Sequence, residues 1–181
     1  MKNLYFVLFL LSFGFISNSC VDKCKNVNCN QGICVEGTCN CYPGYSGEFC
    51  DIKLTSNFTA DWAGSFACEG LAREATIKIV DFESDIKRLQ LNTVGMTIEF
   101  QTVVLSLDDK PLNAYCTDDY KGFDIPAQNV VFPPFVPGLP GISATITGTG
   151  VLIDPTHLNV SIKVENTDFG VTFNCTGVFS K

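Results

Sequence analysis

The sequence predicts a mainly β protein, in which a small cysteine-rich module precedes one antiparallel β domain. Six of the 10 cysteines lie between Cys24 and Cys50, a stretch too short to bury a useful core without covalent crosslinks. Farther along, apolar and polar residues alternate with the period of half-buried strands, and turn-forming residues separate these segments. A length of 181 residues suits one small and one medium domain.

Composition narrows the function classes. With 46% hydrophobic and 17% charged residues, the chain has too much apolar and too little charged sequence to be disordered. Its net charge of −7 repels phosphates, so no nucleic-acid partner is expected. A single histidine leaves few side chains for acid–base catalysis.

The N-terminus predicts export. Lys2 is the only charged residue before Asp22, and the apolar run from Leu4 to Phe15 is short for a membrane-spanning helix. A basic start, a short apolar run and small residues after it are typical of a secretory signal peptide, here residues 1–19. Export places the remaining cysteines in an oxidising compartment.

The end of this signal peptide, Ile16-Ser17-Asn18-Ser19-Cys20, resembles the lipobox of bacterial lipoproteins. The resemblance implies that Cys20 carries a lipid, that residues 20–23 form the lipidated N-terminus, and that the chain is anchored to a membrane or cell surface. Ser19 fits the small residue before the cysteine, whereas Ser17 replaces the usual aliphatic residue. Ordinary cleavage stays open, because Ser17 and Ser19 also satisfy the small-x-small rule and would give an unlipidated secreted protein.

The cysteine-rich module has the spacing C-x4-C-x4-C-x4-C-x-C-x8-C, and its last part reads C-N-C-Y-P-G-Y-S-G-E-F-C. This segment, residues 24–50, resembles an EGF-like domain in its C-x-C pair and its Gly-aromatic-x4-Cys ending. Spacing alone leaves about fifteen pairings of the cysteines open. The resemblance implies the disulfides Cys24–Cys34, Cys29–Cys39 and Cys41–Cys50.

No metal or other cofactor is expected. In an exported chain, clustered cysteines favour disulfides over zinc, and the C-x2-C spacing of many zinc sites is absent. Calcium-binding EGF-like modules carry acidic or amide residues just before the first cysteine. Here Lys23 follows Asp22, and Lys23 and Lys25 would repel a dication.

Residues 51–57 are predicted to be a polar linker, and residues 58–181 the β domain. The first strand of this domain contains Trp62 and Cys68 on one face, and the second contains Ile77.

Later segments complete the predicted β domain. The stretch 81–91 could form a short helix, and a phase shift of the apolar pattern within 96–107 is interpreted as a β-bulge in one long strand. Further strands are predicted at 143–153, 158–165 and 171–179. About eight antiparallel strands suit a closed barrel or a two-layer sandwich.

The β domain resembles a lipocalin-type (calycin) barrel through Trp62 on its first strand. It departs from that family because Ala60 replaces the expected glycine, and no arginine lies near the last strand. The barrel and the sandwich therefore both stay open.

Three cysteines remain in the β domain. The first and last strands pair in an up-and-down barrel, so Cys68 and Cys175, which both lie on apolar faces, are predicted to form a disulfide. If Cys20 is lipidated, Cys116 is left as a free thiol. Without lipidation, Cys20 could pair with Cys116.

A proline-dense apolar segment, residues 132–141, is the main candidate for function. It is predicted to be a loop that either covers the domain core or serves as a lid, lip or contact patch. Its candidate ligand or partner residues are Phe132, Phe135, Val136 and Leu139.

No catalytic set stands out. His157 follows Asp154 in a predicted turn, no G-x-S-x-G motif is present, and the carboxylate pairs 108–109 and 118–119 are typical of solvated turns. N-glycosylation sequons begin at Asn57, Asn159 and Asn174.

The sequence therefore predicts a non-catalytic surface lipoprotein, whose EGF-like stalk presents a β domain that binds a protein or a small apolar ligand. A secreted or surface hydrolase on a β scaffold is the alternative.

Overall fold

The computed structural model describes residues 22–69, 71–100, 103–134, 141–166 and 170–181. The predicted signal peptide and the predicted lipidation site Cys20 lie outside these residues. The described chain is mainly β, and its larger part is a closed antiparallel barrel. This confirms the predicted fold class and decides for the barrel over the sandwich.

The N-terminal module is built from two small antiparallel ladders held by disulfides. In these ladders β1 (Gly32–Val35) pairs with β2 (Thr38–Cys41), and β3 (Tyr45–Ser46) pairs with β4 (Ile52–Lys53). The disulfides join Cys24 to Cys34, Cys29 to Cys39 and Cys41 to Cys50, the same pairs that the family resemblance implies.

The predicted linker is itself folded. Its first part is β4, and Leu54–Asn57 form a short 3-10 helix in which Thr55 is fully buried. The backbone N–H of Leu54 donates to the carbonyl of Gly44 at 2.9 Å, so this segment packs back onto the module.

Eight strands close the barrel, and each pairs antiparallel with its neighbours. In chain order they are β5 (Ala60–Cys68), β6 (Leu71–Phe82), β7 (Asp85–Val94), β10 (Leu112–Cys116), β11 (Gly122–Phe132), β12 (Ile142–Asp154), β13 (His157–Asn166) and β14 (Val171–Ser180). Between β7 and β10, the strands β8 (Thr97–Phe100) and β9 (Val103–Ser106) form a separate hairpin.

The barrel closes where β14 pairs with β5. Cys175 and Cys68 lie directly opposite each other in this ladder and form a disulfide, as the up-and-down barrel hypothesis expects. The barrel otherwise follows chain order, with β10 joining β7 across the β8–β9 insertion.

Apolar and polar residues alternate along the strands, and in the structure most of the apolar ones face the core and most of the polar ones the surface. Along β13 the burial pattern alternates at every residue as far as Val164, with Leu158, Val160, Ile162 and Val164 inside. Inward-facing residues of all eight barrel strands belong to one apolar cluster.

Two local predictions are wrong. Residues 81–91 are not helical, because β6 runs to Phe82 and β7 starts at Asp85, with Leu89 and Leu91 buried at the period of a strand. The phase shift within 96–107 is not a bulge. It marks the reversal of chain direction between β8 and β9, where Phe100 pairs with Val103.

One glycine position depends on the packing of an aromatic ring. Gly150 on β12 lies opposite Phe123 on β11, and a β carbon at position 150 would lie 2.1 Å from Cζ of that ring. Phe58 packs edge-on against the same ring, with centroids 5.5 Å apart. The Phe123 ring is thus confined between Phe58 and Gly150, in the space that a side chain at 150 would need.

We expect Gly150→Ala to lower the free energy of unfolding by about 1 to 3 kcal/mol, the usual cost of overpacking a filled core. Urea denaturation followed by tryptophan fluorescence measures this loss. The control is Thr149→Ala on the same strand, whose exposed side chain faces outward and whose loss should cost less than about 1 kcal/mol. Equal losses in the two variants would show that the ring does not restrict position 150.

Candidate functional site

Side chains of the described residues fill the barrel interior. Side chains that line a cavity large enough for water keep exposed surface, whereas Trp62, Ile77, Leu89, Ile146 and other inward residues are 0% exposed. The surfaces that the described barrel presents to other molecules are therefore its outer wall and its two ends.

One end of the barrel is covered by the β8–β9 hairpin. Met96, Ile98 and Leu107 are fully buried and join the barrel core. The Thr93 hydroxyl on β7 donates to the carbonyl of Leu107 at 2.8 Å, which fixes the base of the hairpin to the barrel wall. We call this the hairpin end.

A groove of about 380 Å³ lies at the hairpin end, between the hairpin and the start of the proline-dense segment. It is bordered by apolar, proline and charged groups. Its lining residues are Val104, Leu105, Ser106, Asp108, Asp109, Lys110, Phe132, Pro133 and Pro134.

The candidate residues of the proline-dense segment fall into two groups, those that the structure describes and those that it does not. Phe132 is the last residue of β11 and is 1% exposed, so most of its ring serves the core rather than a ligand. Pro133 and Pro134 are exposed at the groove, as a contact surface requires. Phe135, Val136 and Leu139 lie outside the described residues.

The opposite end of the barrel holds the N-terminal module, and we call it the module end. Lys53 of β4 contacts the Asp81 carboxylate at 2.9 Å and donates to the carbonyl of Phe82. The hydroxyl of Thr55 donates to the same carboxylate at 3.3 Å. Burial raises the pKa of Asp81, but the hydrogen bonds and charge of Lys53, with the Thr55 hydrogen bond, outweigh burial and leave the pKa below its ordinary value.

Close apolar packing accompanies these polar contacts. A β carbon at Gly44 would lie 2.8 Å from Cδ1 of Ile86 and 2.9 Å from the hydroxyl of Tyr120, so these two barrel side chains would have to shift to admit a larger residue. Gly44 also has φ of +91°, which favours glycine. The module is therefore seated on the barrel by both polar and steric fit.

Cys116 is buried at the end of β10 and carries no disulfide within the described part of the chain. Burial raises the pKa of its thiol to about 12, so the thiol stays protonated at neutral pH. Because the thiolate is the reactive form, Cys116 is a core residue rather than a nucleophile.

The outer wall carries a second, shallow depression of about 500 Å³. Its lining contains no charged residue and comprises Ser65, Thr149, Val151, Asn159, Ser161, Thr176, Gly177 and Val178. The sequon residues Asn57, Asn159 and Asn174 are all exposed. No aromatic side chain or convergent set of charges distinguishes this lining as a binding site.

The sole histidine forms a surface pair with Asp154. His157 Nδ1 lies 2.8 Å from Asp154 Oδ2, and the Thr156 hydroxyl donates to Asp154 Oδ1 at 2.8 Å. About half of each charged side chain is exposed. The side-chain hydrogen bond to His157, followed by those from Thr156, lowers the pKa of Asp154 to about 2.

Ser180 lies directly opposite His157 in the β13–β14 ladder. Among the described residues, the side-chain hydrogen bonds of the His157 ring go to Asp154 and Thr156, whereas the Ser180 hydroxyl donates to the carbonyl of Ala63 at 3.4 Å. The hydrogen bonds of the described residues therefore do not join Ser180 to the histidine as a nucleophile and its base. In the same described part of the chain, no group of three or more His, Cys, Asp or Glu side chains could hold a metal ion. Nor does that part contain a helix long and apolar enough to cross a bilayer.

Sequence reasoning missed the β8–β9 hairpin and the contacts of Lys53. Two residues separate Phe100 from Val103, a spacing that fits a two-residue hairpin loop, but Gln101-Thr102 is not a turn-forming dipeptide. Lys53 occurs in a stretch that reads as polar linker, and no local pattern links it to Asp81.

Comparisons with known proteins add little beyond the fold. No family model and no curated protein matches the sequence. A redesigned β-barrel, b11L5F_LGL, has a TM-score of 0.43 and 14% identity to this chain, over 71% of this chain and 94% of its own. EF1p2_mFAP2b, solved bound to DFHBI, has a TM-score of 0.45 and 10% identity, over 71% of this chain and 96% of its own. At these scores, neither carries an argument about function.

We expect His157→Ala to raise the pKa of Asp154 from about 2 toward its ordinary value of 3.8, because the largest cause of its depression is removed. Carboxyl-carbon NMR titration measures this shift. Asp119 is the control, since its pKa is lowered by Thr117 and Lys121 instead and should not change in the variant.

The pair also affects stability at acid pH. The folded-state pKa of Asp154 lies below its ordinary value, so the contribution of this carboxylate to stability is present above about pH 4 and is lost as pH falls toward 2.

The same variant tests catalysis. If the protein turns over an ester, glycoside or peptide substrate and His157→Ala abolishes that turnover, the pair is assigned to catalysis instead.

Proposed function

We propose that this protein is an exported lipoprotein, anchored through Cys20, that acts by binding a protein partner rather than by catalysis. Its N-terminal module, which resembles an EGF-like domain, seats the barrel with its hairpin end away from the membrane. The groove between the β8–β9 hairpin and the proline-dense segment is the proposed contact surface.

The observation that supports this proposal is that the N-terminal module and the groove lie at opposite ends of the barrel. The described chain begins at Asp22, next to the proposed lipid, and leads directly into the module on the module end. The groove lies at the hairpin end, together with Pro133 and Pro134 at the start of the proline-dense segment. Strands of 10 residues or so, tilted as in a closed barrel, separate the two ends by roughly 20 to 25 Å. A partner at the groove can then bind without meeting the membrane.

The disulfides support export. All eight paired cysteines form intramolecular disulfides, and such bonds persist in oxidising compartments. The one unpaired cysteine of the described chain is buried, so it is shielded from exchange at the cell surface.

The filled interior favours a protein over a small apolar ligand. A small apolar ligand needs a concave apolar pocket that covers most of its surface. The groove at the hairpin end is instead open, and its Asp108, Asp109 and Lys110 add charged groups beside Val104 and the prolines. Mixed apolar and polar character is typical of surfaces that bind proteins.

Cys20→Ser tests the anchor in the source cell or in a bacterium that lipidates exported proteins. We expect the wild-type chain in the membrane fraction, with the mass of a chain that starts at Cys20 plus acyl groups, and the variant in the soluble fraction. Cys116→Ser is the matched control, because it removes a thiol without removing the proposed anchor. Wild-type protein without acyl mass, whose distribution Cys20→Ser leaves unchanged, would contradict the proposal.

Phe135→Ser combined with Leu139→Ser tests the contact surface. A photo-crosslinker at the exposed position Pro134 is expected to capture a discrete partner on whole cells, and the double change should lower the yield severalfold by removing apolar contact area. Val178→Ser is the control, since Val178 is an exposed apolar residue on the barrel wall. Unchanged crosslinking in a variant with unaltered near-ultraviolet circular dichroism would remove the segment from the interface.

A further inference from the structure

The β1–β2 hairpin of the module has one face that packs on nothing in the described chain. In its register Ile33 pairs with Asn40 and Val35 with Thr38, and the backbone N–H of Tyr42 extends the ladder by donating to Gln31 at 2.9 Å. Paired residues project to the same side, so these six residues share one face. The opposite face carries Cys34, Cys39 and Cys41 toward the disulfides.

This outer face carries no charge, and three of its six residues are apolar. Ile33, Val35 and Tyr42 are 50%, 51% and 50% exposed, and the residues between them are Gln31, Thr38 and Asn40. The module contacts the barrel through Gly44, Lys53 and Thr55, which leaves the hairpin face free.

The covalent chain holds this hairpin close to Cys20. Three residues separate Cys20 from Cys24, so the two cysteines can be at most about 14 Å apart. A β carbon at Gly37, in the turn between β1 and β2, would lie 3.4 Å from Cβ of Lys23. Lys23 is three residues from Cys20, which puts the turn of the hairpin within about 15 Å of the anchored residue.

From this geometry we infer that the face formed by Ile33, Val35 and Tyr42 lies in the interfacial layer of the bilayer to which Cys20 is anchored. The inference rests on the proposed lipid at Cys20. Tyrosine suits this layer because its ring is apolar and its hydroxyl can remain hydrated. The tethered bilayer also supplies, at high local concentration, the apolar surface that such a face requires.

The charges near the face identify the kind of contact. Between residues 22 and 51 all charged side chains are exposed, and acidic ones outnumber basic ones: Asp22, Glu36, Glu48 and Asp51 against Lys23 and Lys25. An excess of negative charge gives no attraction for anionic lipids, so burial of the apolar side chains drives the contact. The contact is therefore expected with phosphatidylcholine, a zwitterionic lipid without net charge, and is expected to be insensitive to salt.

The test uses full-length lipidated protein in phosphatidylcholine vesicles whose acyl chains carry bromine, a quencher of tryptophan fluorescence. Tyr42→Trp reports on the face, in a Trp62→Phe background that removes the native tryptophan. Val178→Trp in the same background is the matched control, because Val178 is 53% exposed but lies on β14 of the barrel wall. Vesicle flotation, measured on the same samples, reports on anchoring alone.

Severalfold stronger quenching of the Tyr42→Trp reporter than of the Val178→Trp reporter, unchanged at high salt, supports the inference. If the protein floats with the vesicles but the Tyr42→Trp reporter is not quenched, the inference about the face is overturned, whereas the lipid anchor at Cys20 is supported. The face would then be available to a second copy of the chain or to a protein partner. Equal quenching of both reporters also overturns it, because the barrel would then lie flat on the bilayer. Failure of the lipidated chain to float overturns the anchor and this inference together.

Discussion

The pairing of β5 with β14 is the constraint on which the rest of the molecule depends. It closes the barrel, and the Cys68–Cys175 disulfide joins positions 107 residues apart in the chain. In the chain-entropy account, a loop of that length contributes about 4 to 5 kcal/mol by restricting the unfolded state. Closure also fixes the interior volume, which side chains from all eight strands fill.

Side chains at the module end also connect the closed barrel to the N-terminal module. Lys181, which follows β14, donates to the carbonyl of Asn57 at 2.8 Å and lies 4.7 Å from the centre of the Trp62 ring. Lys53 ties the same region to Asp81 at the end of β6. Polar contacts from two chain segments and the close packing at Gly44 thus join the module end of the barrel to the N-terminal module.

Sequence patterns anticipated the features that depend on local order and on chain ends. Alternation along β13 and β14 follows from one-sided burial, and the Cys68–Cys175 pair follows from the adjacency of first and last strands. The β7 strand was missed because Asp85, Lys87 and Arg88 make its start as polar as a helix surface. The contacts of Lys53 and the groove at the hairpin end could not be anticipated, because both join segments far apart in the sequence through tertiary packing alone.

The contact between Lys181 and Trp62 depends on the packing of the first barrel strand against the last. The Lys181 ammonium group, just after the last strand, lies over the face of the Trp62 ring on the first strand. The Trp62 indole N–H donates to the carbonyl of Phe58 at 2.7 Å, so its polar edge is also satisfied. Position in space, rather than residue type in a motif, defines this contact.

The buried thiol of Cys116 has a consequence for how the chain matures. In the native molecule the thiol is inert, but before β10 is packed it is open to oxidation and can compete for the partners of Cys68 and Cys175. The short-range disulfides of the module close loops of 9 or 10 residues and form readily, whereas the barrel disulfide needs strands from both ends of the domain. If β10 packs before β5 and β14 meet, Cys116 is already covered and cannot exchange with Cys68 or Cys175.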